Sequence, residues 1–247
     1  MKVTFLGSGG SAVSATRACP SILLDDSILF DLGPGSLKNL RAYHLEAERI
    51  SKVFISHQHA DHISDLVPFL WTIQIDGRQA PLEVYGPAGF KETFTELLKC
   101  TGTSDGFFKF PLTVDEIDFG AKLGDISTCR TSHSIPTLAF RADAKGKSFC
   151  YSADTTYCPA LIHLAQNVDL LIHEATFLED QLPIAQLTSH STPEMAGRAG
   201  KEAHAKRLAL FHIPPPNEKR ENEFQSVATQ VYGMDVFVGM DMATIEF

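Results

Sequence analysis

The sequence predicts an α/β layered domain, and three observations carry that prediction. Short β-rich runs recur along the chain: KVTFLG, SILLDDSILFDLG, KVFIS, LEVYGP, FCYSADT, DLLIHEAT, RLALFHIP and DVFVGMD. Helical stretches lie between them, roughly 36–46, 63–74, 87–99, 157–166, 192–203 and 218–232. Histidines and carboxylates gather where the strand runs end, which is where open α/β sheets place their ligands.

Each element has a local reason. Val, Ile, Leu and Phe fill the β runs without strict alternation, as in strands buried on both faces. MKVTFLGSGG has one lysine and too short an apolar run for a secretory leader, so it reads as a first strand. Thr192 and Pro193 open a helix as N-cap and first helical residue. The runs at 168–173 and 207–212 read as successive strands joined through that helix. TLAFRADAKGKSFCYSA reads as a hairpin turning at Lys145-Gly146. No linker or repeat interrupts the pattern. We therefore expect one domain, 1–247, with two loosely equivalent halves, roughly 1–115 and 116–247.

The 247 residues carry a formal net charge of −9, the opposite of a generic nucleic-acid binder. No apolar run approaches the ~20 residues of a membrane helix. Five widely spaced cysteines without a C-x-x-C pattern suit reduced thiols and a cytoplasmic location. Cys129 and Cys150 fall in strand runs and read as small core residues.

The most informative stretch is VFISHQHADHI, residues 53–63. His57 and His59 are two apart, so no helical spacing relates them. An extended segment leaving a strand would aim both the same way, with Asp61 and His62 in the turn entering the next helix. Three more candidates stand at strand-like ends: His133 in CRTSHSIP, Asp154 after FCYSA, and His212 after the apolar run RLALF. Five histidines and two aspartates without thiolate suit zinc, manganese or iron rather than calcium. Seven ligands are too many for one tetrahedral ion. They suit two ions that share Asp154.

With H-x-H-x-D-H intact at 57–62, the chain resembles the metallo-β-lactamase superfamily. HEAT at 173–176, SHST at 189–192, LGSGG near the start, FDLGPGS at 30–36 and LEVYGP at 82–87 are similar to the ribonuclease Z branch. The resemblance implies a four-layer αββα sandwich with the site at one edge. It implies that His57, His59 and His133 hold one metal, that Asp61, His62 and His212 hold a second, and that Asp154 bridges them. It assigns Glu174 and His190 as a pair, with His190 facing the leaving-group oxygen. A nearby carboxylate favours the imidazolium that such a role needs. A homodimer is also implied.

Other residues read more plainly. Asp31 is expected to hold the ligand loops in place, with a turn-forming Asp as the alternative. LGSGG lacks the Walker spacing and lysine and reads as a tight turn under the site. His44, His163 and His204 read as ordinary helical histidines, and His173 as a neighbour of the site rather than a ligand. Trp71, Phe107, Phe108 and Phe110 read as core or interface residues. GTSDGFFKFP reads equally as a loop over the pocket or a dimer surface.

The chain departs from tRNA-processing ribonucleases Z in three ways. Twenty residues between His133 and Asp154 leave no room for an extended arm. His212 is followed by Ile-Pro-Pro-Pro rather than a polar, Arg-containing loop. The chain is acidic, whereas tRNA binding draws on phosphate contacts. Arg17 resembles the basic N-terminal loop of the branch but cannot replace an arm.

The sequence thus predicts a dinuclear metal-dependent phosphodiesterase of the ribonuclease Z-like type, with a metal-bridging hydroxide as nucleophile. Asp61, His190 and Glu174 are its catalytic side chains. Zinc is the expected metal, with manganese or iron as alternatives. The expected substrate is a small or cyclic phosphodiester or an RNA end, with no membrane partner and no strong generic nucleic-acid binding. The alternative is lactone, thioester or β-lactam hydrolysis at the same site. A non-hydrolytic protein using the site for binding or oxygen chemistry is the third reading.

Overall fold

Asp25 and Asp26 both take left-handed backbone (φ 48° and 56°). They cut the long run SILLDDSILF into two strands of a hairpin, where the sequence had read as one run. Asp tolerates that conformation because its side chain can bond the local backbone. In the computed structural model, which describes residues 1–43 and 47–247, the first sheet grows outward from this hairpin. His44 lies outside the described residues.

The chain begins with β1 (Lys2–Gly7), β2 (Ser21–Leu24) and β3 (Ile28–Phe30), which pair antiparallel. After α1 (Ser36–Ala42) comes β4 (Lys52–Phe54), parallel to β3. Two helices, α2 (Ala60–Ile63) and α3 (Leu66–Ile75), lead to β5 (Leu82–Gly86). Then α4 (Phe90–Cys100) leads to β6 (Leu112–Glu116), and β4, β5 and β6 run parallel.

The second sheet repeats the plan. It opens with antiparallel β7 (Lys122–Leu123), β8 (Ile126–Arg130), β9 (Leu138–Ala144) and β10 (Lys147–Tyr151). After α5 (Pro159–Leu164) comes β11 (Leu170–Glu174), parallel to β10. Next come α6 (Leu182–Thr188), α7 (Pro193–Glu202) and β12 (Leu208–Phe211), which pairs parallel with β11 as expected. The chain closes with α8 (Glu221–Tyr232), β13 (Val236–Val238) and β14 (Thr244–Glu246). The last strand crosses back to pair with β1, so the strand orders are β14-β1-β2-β3-β4-β5-β6 and β13-β12-β11-β10-β9-β8-β7.

Three apolar cores give four layers. One packs α1, α3 and α4 against the outer face of the first sheet through residues such as Leu40, Phe69 and Phe94. Another packs α5, α7 and α8 against the second sheet through Leu161, Ala199 and Phe224. The third lies between the sheets, where Phe30 sits 5.3 Å from Phe140 and 5.6 Å from Phe149. Each such buried ring contributes about 1.5–3 kcal/mol by leaving water. This is the αββα sandwich.

The local signals act as their chemistry requires. Thr192 Oγ1 accepts from the Met195 N–H, with Pro193 in the first turn of α7. Lys145 and Gly146 are both left-handed (φ 54° and 74°), the backbone a two-residue hairpin needs. No arm is inserted there. His204 is an exposed left-handed residue (φ 50°) just past α7 rather than within it. Among the described residues no helix is long and apolar enough to cross a membrane.

Candidate metal centre

Every residue proposed from sequence as a ligand sits at one end of the sandwich, beyond the carboxyl ends of β4, β10, β11 and β12. His57 lies past β4, outside any helix or strand, and His59 is the N-cap residue of α2 with φ −67° and ψ 147°. Asp61 and His62 lie inside that short helix. His133 comes from the β8–β9 loop, Asp154 follows β10, and His212 follows β12.

Their donor atoms form two groups around Asp154, each within 4.8 Å: His57, His59, His133 and Asp154, and Asp61, His62, Asp154 and His212. In the first, His59 Nδ1 lies 3.0 Å from His57 Nε2 and 3.2 Å from His133 Nε2. Asp154 Oδ2 lies 3.6 Å from His57 Nε2 and 3.8 Å from His133 Nε2. In the second, Asp154 Oδ1 is 3.3 Å from both His62 Nε2 and His212 Nε2. Asp61 Oδ2 is 3.3 Å from His212 Nε2 and 3.6 Å from His62 Nε2. Donors bound at about 2.0–2.1 Å around a tetrahedral zinc stand ~3.3–3.4 Å apart, so these spacings suit the ion.

Burial points the same way. His62 Nε2, His212 Nε2 and Asp154 Oδ1 are buried with no hydrogen-bond partner. Buried polar atoms rarely stay unpaired, and three aimed at one point suit a shared cation. Burial opposes charge on Asp154, but His212 and His62 hold its carboxyl well below the usual range. His62 is the converse: burial disfavours its charged form, and Asp154 and Asp31 raise its proton affinity well above ordinary. His57 is pushed well below ordinary by burial and by the neighbouring His62.

The supporting residues explain the ligands' aim. Asp31, as expected, is a hub: His62 Nδ1 lies 2.8 Å from its Oδ2, and Tyr151 donates to the same oxygen at 2.7 Å. Ser56 donates to both Asp31 oxygens, through its N–H and its hydroxyl, and its Oγ lies 2.9 Å from His57 Nδ1. LGSGG lies beside the site but is not the expected tight turn: Leu6 and Gly7 end β1, and Gly9 bridges to Ile213. The Ser11 N–H donates to Asp61 Oδ2 at 2.9 Å, and a Cβ on Gly10 would stand 2.2 Å from His212 Nδ1. Asp31, Ala153, Ser189 and His212 are left-handed without being glycine (φ 60°, 51°, 59° and 66°). Such positions cost of order 1 kcal/mol or more and collect at functional sites. Here they adjoin or carry the site side chains.

Glu174 and His190 form the expected pair, with His190 Nδ1 2.9 Å from Glu174 Oε1. Glu174 also accepts from the N–H groups of Thr155 and Ser191 and from the Thr176 hydroxyl. Burial opposes a charged His190, yet Glu174 overrides it and carries the imidazole up to about 9. Glu174 is held below its ordinary value against burial by His190. His190 also stands close to Glu174 and His212 as a possible ligand group, but its Nδ1 is committed to Glu174.

Sequence reasoning missed Thr176, Ser56, Tyr151 and the Ser11 amide, whose contacts to His212, Asp31 and Asp61 arise from tertiary placement. It offered Arg17 as a basic loop residue, and the structure corrects this. Arg17 is buried and donates to Ser8 Oγ, the Gly239 carbonyl and Glu221. His173 is buried beside the Glu174 carbonyl, outside both ligand groups. The 102–111 segment packs on the outer helical layer, where the Phe107 ring lies tilted 4.3 Å from that of Trp71 and the Trp71 indole donates to Thr103.

The chain is similar in sequence and fold to several known proteins. The ribonuclease Z of Methanothermobacter thermautotrophicus is 27% identical, covering 100% of this chain and 96% of the relative. That alignment runs over 303 positions against 247 residues here, so the relative carries segments this chain lacks. The ribonuclease Z of Bacillus licheniformis is 29% identical over 86% of this chain and 88% of its own. The crystal structure of the metallo-β-lactamase fold protein YhfI from Bacillus subtilis superposes with a TM-score of 0.84 at 27% identity, covering 100% and 99% of the two chains. That of human tRNase Z, short form, does so with 0.83 at 28%, with the same coverage. The family model described as a β-lactamase superfamily domain matches residues 26–213, well over half the sequence, and the chain belongs to that superfamily.

Proposed function

We propose that this chain is a metal-dependent phosphodiesterase of the ribonuclease Z-like type. The observation that carries the reading is a seven-residue His/Asp cluster beside a charged Glu174–His190 pair, with His190 Nδ1 4.0 Å from Asp154 Oδ2. One divalent ion would be held by His57, His59, His133 and Asp154, and a second by Asp61, His62, His212 and Asp154. Zinc suits this donor set, and manganese or iron could replace it according to supply. When bound, such ions supply a water nucleophile ionised near neutral pH and neutralise charge on the phosphoryl oxygens.

The chain's own side chains do the rest. Asp61, fixed by the Ser11 amide, accepts a hydrogen bond from the attacking water and orients it. His190, with Nδ1 bonded to Glu174, has Nε2 left to face the leaving-group oxygen and give it a proton. Glu174 keeps the imidazole charged and oriented. The substrate in this reading is a small or cyclic phosphodiester or an RNA end. The two-residue β9–β10 turn, the buried Arg17 and the net charge of −9 give extended RNA little to hold. The reading also takes 1–247 as one domain and places it in the cytoplasm, where its free cysteines stay reduced. It includes a homodimer, for which the family resemblance is the support.

A substrate panel tests the proposal. Zinc- and manganese-loaded protein is expected to cleave bis(4-nitrophenyl) phosphate and cyclic nucleotides and to leave lactones and thioesters largely intact. Turnover of lactones or thioesters without any phosphodiester would transfer the site to carbonyl chemistry.

A further inference from the structure

Thr176, the last residue of HEAT, is fully buried and stands between the two chemical parts of the site. Its Oγ1 lies 2.7 Å from Glu174 Oε2, 2.8 Å from His212 Nδ1 and 3.3 Å from His190 Nδ1. Its own backbone is pinned: the N–H donates to the Ser191 carbonyl at 3.0 Å, and the carbonyl accepts from Asn217 Nδ2 at 3.1 Å. The hydroxyl therefore cannot drift from this junction.

A hydroxyl has one proton to give. An ionised carboxylate only accepts, so that proton goes to Glu174 Oε2. The lone pairs of Oγ1 then face His212 Nδ1, which must carry its hydrogen there. A neutral imidazole protonated at Nδ1 presents a bare lone pair at Nε2. His212 Nε2 is the atom aimed at Asp154 and Asp61 with no hydrogen-bond partner of its own. One hydroxyl thus selects the tautomer of His212 that can hold a cation and, with the same proton, fixes the carboxylate that orients His190.

We propose that Thr176 is a positioning residue that locks His212 in its ligand-competent tautomer and ties that ligand to Glu174. The inference rests on the dinuclear reading above. Outer hydrogen bonds of this kind are worth about 10–100-fold in metal affinity.

The test is calorimetric titration of the metal-free full chain with zinc, using the wild type, Thr176→Val and Thr176→Ser. Valine keeps the shape and removes the hydroxyl; serine keeps the hydroxyl. The expected result is two ions in the wild type and about a 10–100-fold weakening of one of the two in the valine variant, with serine restoring it. A purely packing role would lower the melting temperature and leave both affinities unmoved, and that outcome overturns the proposal. If the valine variant does not fold, serine decides: two unchanged affinities support the tautomer lock, and loss of one ion contradicts it. A wild type that binds fewer than two ions sinks the dinuclear reading itself, whereas two ions of unchanged affinity in the valine variant sink only the role of Thr176.

Discussion

The two donor groups that meet at Asp154 use the same residue types in different settings. The group of Asp61, His62 and His212 has two carboxylates counting Asp154, both histidines buried, and a partner behind each member: the Ser11 amide, Asp31 and Thr176. The group of His57, His59 and His133 has only the shared carboxylate. His57 rests on Ser56 and His133 on the Ser189 carbonyl, while His59 stands half-buried at a helix start. More negative charge and firmer outer hydrogen bonds raise the affinity for a divalent ion. One edge of the sandwich therefore carries a more acidic, more buried donor group beside a less buried one.

The largest expected effect comes from the residue the groups share. Asp154→Ala should remove the carboxylate from both and cost roughly 10³-fold or more in turnover, the several kcal/mol that bound metal contributes. Metal analysis of the purified variant checks this, and retention of two ions per chain would break the shared-ligand assignment. His190→Ala comes next. It should leave both ions in place and lower kcat about 10²–10⁴-fold, least for substrates with good leaving groups. Equal losses across a leaving-group series would rule out proton donation.

The same residue sets a pH limb. Glu174 holds His190 above its ordinary value, so its acid form is lost on the alkaline side, and kcat should fall there in the wild type but not in His190→Ala. The linkage to stability has the same sign. The folded value lies above the ordinary ~6.5, so the stabilisation is fully present below about 6.5 and disappears as pH rises through about 9.

The smallest effect sharpens the contrast between the groups. Asp31→Asn removes the charge behind His62 directly and touches His57 only through Ser56, so it should weaken the position of Asp61, His62 and His212 by about 10–100-fold and that of His57, His59 and His133 less. Equal weakening of both, measured by zinc titration, would erase the distinction.

The sequence exposed the ligands better than their supports. H-x-H-x-D-H compresses four ligands into six positions of one loop and helix start, so local spacing reveals them. His133, Asp154 and His212 were legible because each stands near a strand-like end, and strand ends converge in an α/β sheet. The hairpin turn, the α7 cap and the parallel β11–β12 pair followed from local chemistry. Tyr151 was hidden because it reaches Asp31 across 120 residues of chain. Thr176 was hidden because its partners are brought together by three separate segments. The left-handed backbone of Ala153 and His212 had no local signature, since neither alanine nor histidine announces that conformation. The return of β14 to the first sheet was equally invisible, because a three-residue strand carries almost no periodicity.

The central claim is that two ions, held together by Asp154, act on a phosphodiester. Its most direct test is to titrate the metal-free chain with zinc while following hydrolysis of bis(4-nitrophenyl) phosphate. Little turnover is expected with the first equivalent, a sharp rise with the second, and its loss on adding a chelator. Full turnover at one equivalent, or none in protein shown to hold two, would contradict it.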